Sequence, residues 1–149
     1  MQPANQRRLK RHVLTAALLS VLTLPAYAGV NCQLVDATGA PLPLDSSAPG
    51  SESLACGPDA KATGDGSTAL GDETTADGKN ATAVGSWIDL DADGLVDANE
   101  ITWAKGLNST AMGAATQAIG DNSTAIGVRA VTATAGSVAI GNQAGAVHS

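Results

Sequence analysis

Between Ala55 and Gly141 an Ala-x-Gly triplet returns every seven residues, closing at Gly57, Gly64, Gly71, Gly78 and Gly85 and, twenty-one residues on, at Gly106, Gly113, Gly120 and Gly127, then at Gly141. The residue inside the triplet alternates in character, so the true unit is fourteen residues. One series is apolar, Cys56, Leu70, Val84, Met112, Ile126 and Ile140; the intervening series, Thr63, Asp77, Lys105, Ile119 and Ala133, is mostly polar. A fixed period of this length predicts a solenoid, in which each repeat buries its apolar face only against its neighbours. Side chains alternate along an extended chain, so Thr124 and Ile126 share one face of a short strand and Ala125 takes the other. We expect the apolar series to be the internal residue of each coil, the intervening series to face water, and the glycines to form the corners.

A flexible Gly/Ala/Ser/Thr linker has a similar composition. Disorder, however, has no reason to hold a seven-residue register from Ala55 to Gly141. The periodicity therefore decides for an all-β, coiled architecture.

Ser/Thr-x-Ala-Ile-Gly at fourteen-residue spacing, as in Asn108-Ser109-Thr110-Ala111-Met112-Gly113 and Asn122-Ser123-Thr124-Ala125-Ile126-Gly127, resembles the head of trimeric autotransporter adhesins. The resemblance covers Ser53 to Gly141. It implies a YadA-like left-handed parallel β-roll, a homotrimer whose three coils pack side by side, and a place on the bacterial surface, attached to a host extracellular-matrix or cell-surface ligand. An independent argument also calls for partners. A coil that buries one alanine and one mid-sized aliphatic per turn has little core to offset roughly 1–2 kcal/mol of chain entropy per ordered residue.

The chain divides into a signal peptide (1–28), an irregular leader (29–52), head repeats (53–85), an insertion (86–103), further head repeats (104–145) and a tail (146–149). Arg7, Arg8, Lys10 and Arg11 precede an apolar run from Val13 to Leu24 and a small-residue site at Ala26-Tyr27-Ala28, which places cleavage before Gly29. The apolar run is too short for the ~20 residues of a spanning helix, so no stable membrane span is expected. In the leader, Pro41, Pro43 and Pro49 punctuate an irregular path, with one short strand expected at Gln33–Val35. Family members continue into a coiled-coil stalk and a membrane barrel, and neither pattern follows Gly141. A fragment, a released product and a remnant stay open.

Charge and cysteine refine this picture. Removing residues 1–28 leaves 4 basic against 14 acidic residues, a net charge of −10. That balance disfavours nucleic acid or an anionic membrane as partner and suits an exported, cation-holding protein. Cys32 and Cys56 invite a disulfide in such a chain. Yet Cys56 also stands at the apolar position of its triplet, where a free thiol serves as a small hydrophobe. Both readings stay open.

The register breaks after Gly85 and recovers at Gly106, an insertion of fourteen residues at one corner. It contains Asp89-x-Asp91-x-Asp93-Gly94-Leu95-Val96-Asp97-x-x-Glu100, the pattern of a twelve-residue EF-hand calcium loop. A hard cation of calcium's size takes six to eight oxygens, and the expected ligands are Asp89, Asp91, Asp93, the Leu95 carbonyl, Asp97 and a two-oxygen Glu100. An acidic surface turn is the alternative, and it does not account for the full pattern through Glu100. Neither flank is long enough for an entering helix, and no second loop pairs with this one. Affinity is therefore expected in the ~10⁻⁴ to 10⁻³ M range of extracellular modules.

No enzyme is expected. His148 is the sole histidine after the signal peptide and lies at the chain end, so no His-based acid/base pair can be assembled. Gly64–Ser67 lacks the ending of a phosphate loop, and the sequons at Asn80, Asn108 and Asn122 are by-products of the repeat. The reading is thus an adhesin head carrying a calcium loop; the alternative is a secreted EF-hand-type calcium-binding structural or docking protein.

Overall fold

The computed structural model describes residues 30–32, 38 and 45–146. The expected signal peptide, the strand expected at Gln33–Val35 and residues 147–149 lie outside them. Among the described residues thirteen short strands form two parallel sheets, and no helix occurs.

The first sheet holds, in spatial order, β1 (Val30–Asn31), β2 (Leu54–Cys56), β4 (Thr68–Gly71), β6 (Thr82–Ser86), β8 (Thr110–Ala114), β10 (Thr124–Ile126) and β12 (Val138–Ile140). The second runs from β3 (Lys61–Ala62) through β5 (Thr74–Ala76), β7 (Thr102–Ala104), β9 (Gln117–Ala118) and β11 (Val131–Thr132) to β13 (Gly145–Ala146). From β2 on, the chain visits the two sheets alternately, one coil for every two strands. Pairing follows the repeat: Ala55 lies opposite Ala69, Ala69 opposite Ala83, and Ala111 opposite Ala125. The protein is a parallel β-solenoid whose coils stack at fourteen-residue spacing.

The insertion leaves this register intact. Across it Thr82, Ala83 and Val84 pair with Thr110, Ala111 and Met112, while Thr74, Thr75 and Ala76 pair with Thr102, Trp103 and Ala104. The fourteen extra residues therefore leave the stack at one corner and return to it.

The leader joins the stack earlier than expected. Ser47 bridges Lys61, and Ala48 is buried, so the first coil reaches back to about Ser47. Ahead of it, Val30 and Asn31 pair with Leu54 and Ala55.

The interior is made of small side chains, mostly alanine. Ala55, Ala69, Ala83, Ala111 and Ala125 from the first sheet meet Ala62, Ala76, Ala104 and Ala118 from the second, all fully buried. Ser53, Ser67, Ser109 and Ser123 line the corner beside them, with the Ser53 and Ser123 hydroxyls donating to the carbonyls of Gly50 and Gly120 at 2.6 Å. The expectation that the apolar series is internal is thus overturned. Thr124 and Ile126 do share a face, but it is the outer one; Met112 is 41% exposed and Ile140 67%. A Cβ on Gly71 would overlap the Gly85 carbonyl of the next coil, so the turns stack backbone on backbone. The buried side chains of the two sheets are small, alanine together with Thr74, Thr102 and Thr132, while the larger aliphatics take the outer face.

The corners divide their work. Gly71 and its counterparts allow this close approach, while the reversals themselves are taken by residues in the left-handed region, such as Glu52, Asp59, Glu73 and Asn80 before the insertion and Asn108, Asn122 and Gln143 after it. Asn tolerates that conformation best among non-glycine residues. The stacked asparagines also bond one another, Asn80 Nδ2 to Asn108 Oδ1 at 3.1 Å and Asn108 Nδ2 to Asn122 Oδ1 at 3.0 Å.

Candidate functional site

The insertion leaves the solenoid through a narrow neck. Ser86, the last residue of β6, pairs with Ala114, and Thr102, the first of β7, sits fully buried beneath it. Its Oγ1 lies 2.9 Å from the Ser86 carbonyl and 2.5 Å from the Gly113 carbonyl. One turn further out, the Ile88 N–H donates to the Glu100 carbonyl at 3.0 Å. The two ends of the loop are therefore tied to each other and to the next coil. Residues 89–99 project from that base, and every one but Leu90 is exposed.

Three of the expected ligands meet. Asp89, Asp91 and Asp93 each present a carboxylate oxygen, and the three oxygens lie within 4.8 Å of one another. Two oxygens bound to one calcium ion are at most about 5 Å apart, twice the usual bond length, so this spacing fits a shared shell. The carboxylates also organise the loop backbone: Asp89 Oδ2 accepts from the Gly94 N–H at 3.0 Å, and Asp93 Oδ1 from the Leu95 N–H at 2.7 Å. Gly94 has φ of 75°, a reversal that an L side chain rarely adopts.

Asp97 and Glu100, the other two expected carboxylate ligands, are placed differently. Leu95, whose carbonyl was assigned as a ligand, has its side chain 65% exposed. Asp97 and Glu100 stand outside the group of three. Glu100 is buried, 1% exposed, and both its oxygens accept backbone donors: Oε1 from Leu90 N–H at 2.6 Å and Oε2 from Asp97 N–H at 3.0 Å. It clamps the two halves of the loop together. The sequence carries the signal for this in Asp97-x-x-Glu100, a capping-box spacing in which the acidic residue three positions on reaches back to a backbone amide. Each carboxylate oxygen has a second lone pair, so both retain acceptor capacity beyond these bonds.

Two tryptophans brace the neck. Trp87 Nε1 donates to Asp72 Oδ2 at 3.1 Å, and Trp103 Nε1 to Asp77 Oδ2 at 2.8 Å. The Lys105 ammonium stands 4.8 Å from the Trp103 ring centroid, a cation–π contact. Gln117 Nε2 donates to the Ala98 carbonyl at 2.7 Å, fastening the far side of the loop to the second sheet.

The second candidate site is the outer face of the first sheet. With the alanines turned inward, Leu54 and Cys56, Thr68 and Leu70, Thr82 and Val84, Thr110 and Met112, Thr124 and Ile126, and Val138 and Ile140 form two ladders down the solenoid. Neighbouring rungs are about 4.8 Å apart. A continuous aliphatic stripe on a surface marks an interaction site. Sequence reasoning found these residues and assigned them to the wrong side.

Four overlapping stretches, residues 48–74, 62–86, 104–130 and 118–144, match the YadA head domain repeat in its two-copy form. The matches stop at residue 86 and resume at 104, so the acidic insertion stands outside the family pattern. A search of curated proteins gives no match. No helix among the described residues is long and apolar enough to cross a membrane.

Proposed function

Because the chain belongs to the YadA head repeat family, we propose that it is the head of an exported, trimeric cell-surface adhesin, a binding module without catalysis. The observation that carries the reading is the outward ladder from Cys56 to Ile140 on a solenoid whose own interior holds only small side chains, alanine with serine and threonine. Three copies meeting along this stripe bury the aliphatic side chains that one copy leaves to water, which supplies the apolar burial the coil lacks. The polar second sheet and the insertion are then free to face outward, toward a host extracellular-matrix or cell-surface ligand. Light scattering on residues 29–149 tests the reading directly. A mass of three chains is expected, and a folded monomer at micromolar concentration overturns it in favour of a secreted docking protein.

A second reading concerns the insertion. We propose that the Asp89–Glu100 loop binds calcium, supported by the three convergent carboxylates and by the position of Gly94 between them and Leu95. Asp89, Asp91 and Asp93 would hold the ion, with the Leu95 carbonyl, Asp97 and Glu100 completing its oxygen shell. The bound ion would neutralise a cluster of five carboxylates and stiffen the loop. Isothermal titration of the chain with calcium in metal-free buffer is the test; absence of heat up to 10 mM calcium ends the reading.

A further inference from the structure

Cys32 and Cys56 are far apart in sequence and adjacent in space. β1 pairs with β2 in parallel register, Val30 opposite Leu54 and Asn31 opposite Ala55, which sets Cys32 beside Cys56 on the next rung. The Cys32 N–H donates to the Ala55 carbonyl at 3.0 Å, carrying the pairing through to that rung. Facing residues on neighbouring strands stand about 4.8 Å apart, inside the 4.4–6.8 Å window of Cα separations that disulfides use. Parallel neighbours in register point to the same side, and Cys56, flanking the inward Ala55, points outward; both thiols are half-buried.

We propose that Cys32 and Cys56 are joined by a disulfide in the exported chain, and that this bond fastens β1 over the first coil. The strand has reason to need fastening. β1 is two residues long, and without it β2 would be an open sheet edge, the kind of edge that pairs with other chains. The thiol contact has an electrostatic trace as well: the hydrogen bond to Cys32, then burial, then the charge of the neighbouring thiolate raise the Cys56 thiol above its usual range.

The chemistry is thiol–disulfide exchange with an oxidised disulfide of an oxidoreductase or of glutathione. One cysteine thiolate attacks that disulfide, its S–S bond breaks, and one partner sulfur leaves as a thiolate. The second cysteine then attacks the mixed disulfide and releases the other. Two protons and two electrons pass to the partner, which departs as thiols. Because Cys56 also stands on the ladder proposed to meet other copies, the bond forms before assembly.

The inference rests on the export reading only for its oxidant in the cell, so the test supplies one. The full chain is equilibrated with oxidised and reduced glutathione at an extracellular poise, then treated with N-ethylmaleimide under denaturing conditions. Expected are a mass about 2 Da below the reduced chain, as loss of two hydrogens requires, no alkylation, and a digest fragment linking the two cysteines. Cys32→Ser should leave Cys56 alkylatable and speed exchange of the backbone amide at position 32 about tenfold or more. Two alkylated thiols in the wild-type chain, or a Cys56-to-Cys56 dimer on a non-reducing denaturing gel, overturn the proposal. Unchanged exchange in Cys32→Ser overturns the fastening role.

Discussion

Replacing Glu100 by glutamine tests the reading of this buried carboxylate as the clamp of the insertion, independently of any metal. In the wild-type chain its two oxygens accept the N–H groups of Leu90 and Asp97 at 2.6 and 3.0 Å, and the side chain is 1% exposed. Glutamine keeps one acceptor and turns an NH2 group toward the other N–H, donor against donor. A hydrogen bond to a charged group contributes about 1.5–3 kcal/mol, and the two amides concerned are only partly screened from water. Taking about 2 kcal/mol as the net loss, local opening of the loop becomes roughly thirtyfold more frequent, at 1.4 kcal/mol per decade. The neck has its own anchors in Thr102 and in the Ile88–Glu100 backbone bond, so the opening should stay confined to the loop. Amide hydrogen exchange in metal-free buffer reads this directly. The N–H groups of Leu90 and Asp97 should lose protection in Glu100→Gln, while amides of the β8 and β10 strands exchange as in wild type. Equal protection of Leu90 and Asp97 in both proteins would refute the clamp, and loss of protection throughout the solenoid would refute its local character.

Other outcomes follow from the same geometry. Calcium at about 1 mM against a dissociation constant of ~0.1 mM should stabilise the fold by about 1.4 kcal/mol per loop; it should shift the emission of Trp87 and Trp103, whose ring nitrogens bond Asp72 and Asp77 beside the neck. Asp89→Ala should remove that response, and magnesium, which prefers a tighter octahedron, should evoke little. Ala125→Leu forces three extra heavy atoms into a fully buried methyl site, so the melting transition should fall by the equivalent of about 1–3 kcal/mol or more; a wild-type melt would show that the interior has room. Ile126→Asp, by contrast, changes an outward rung, so circular dichroism should keep its β signature while light scattering loses the assembly. N-terminal sequencing of secreted protein should begin at Gly29, and a start before residue 20 would contradict the cleavage site.

Much of the architecture was legible in the periodicity. A seven-residue return of Ala-x-Gly implies a half-coil, the alternation of its middle residue implies a fourteen-residue coil, and an in-phase recovery at Gly106 implies an insertion that does not disturb the stack. These are statements about chain length between equivalent points, and the one-dimensional stacking of a solenoid turns them directly into register. The acidic loop was legible for a similar reason, since the order of Asp89, Asp91, Asp93 and Gly94 sets a local turn whose partners are all within a few residues.

The inside and outside of the coil were decided by tertiary structure. Alternation along a strand says that Ala125 and Ile126 face opposite ways and is silent on which way is in. Hydrophobicity favours the isoleucine, and the packing overrules it: the buried side chains of the two sheets are alanine and threonine, and the larger aliphatics stand on the outer face. Glu100 shows the same limit. Its spacing marked it as a calcium ligand, and the fold of the neck set both oxygens on amides. The pairing of Cys32 with Cys56 likewise depended on where β1 docks, a non-local contact that neither cysteine's surroundings encode. Sequence period determines the repeat; the packing of the closed coil and the docking of distant segments determine what each repeat shows to its core and to its partners.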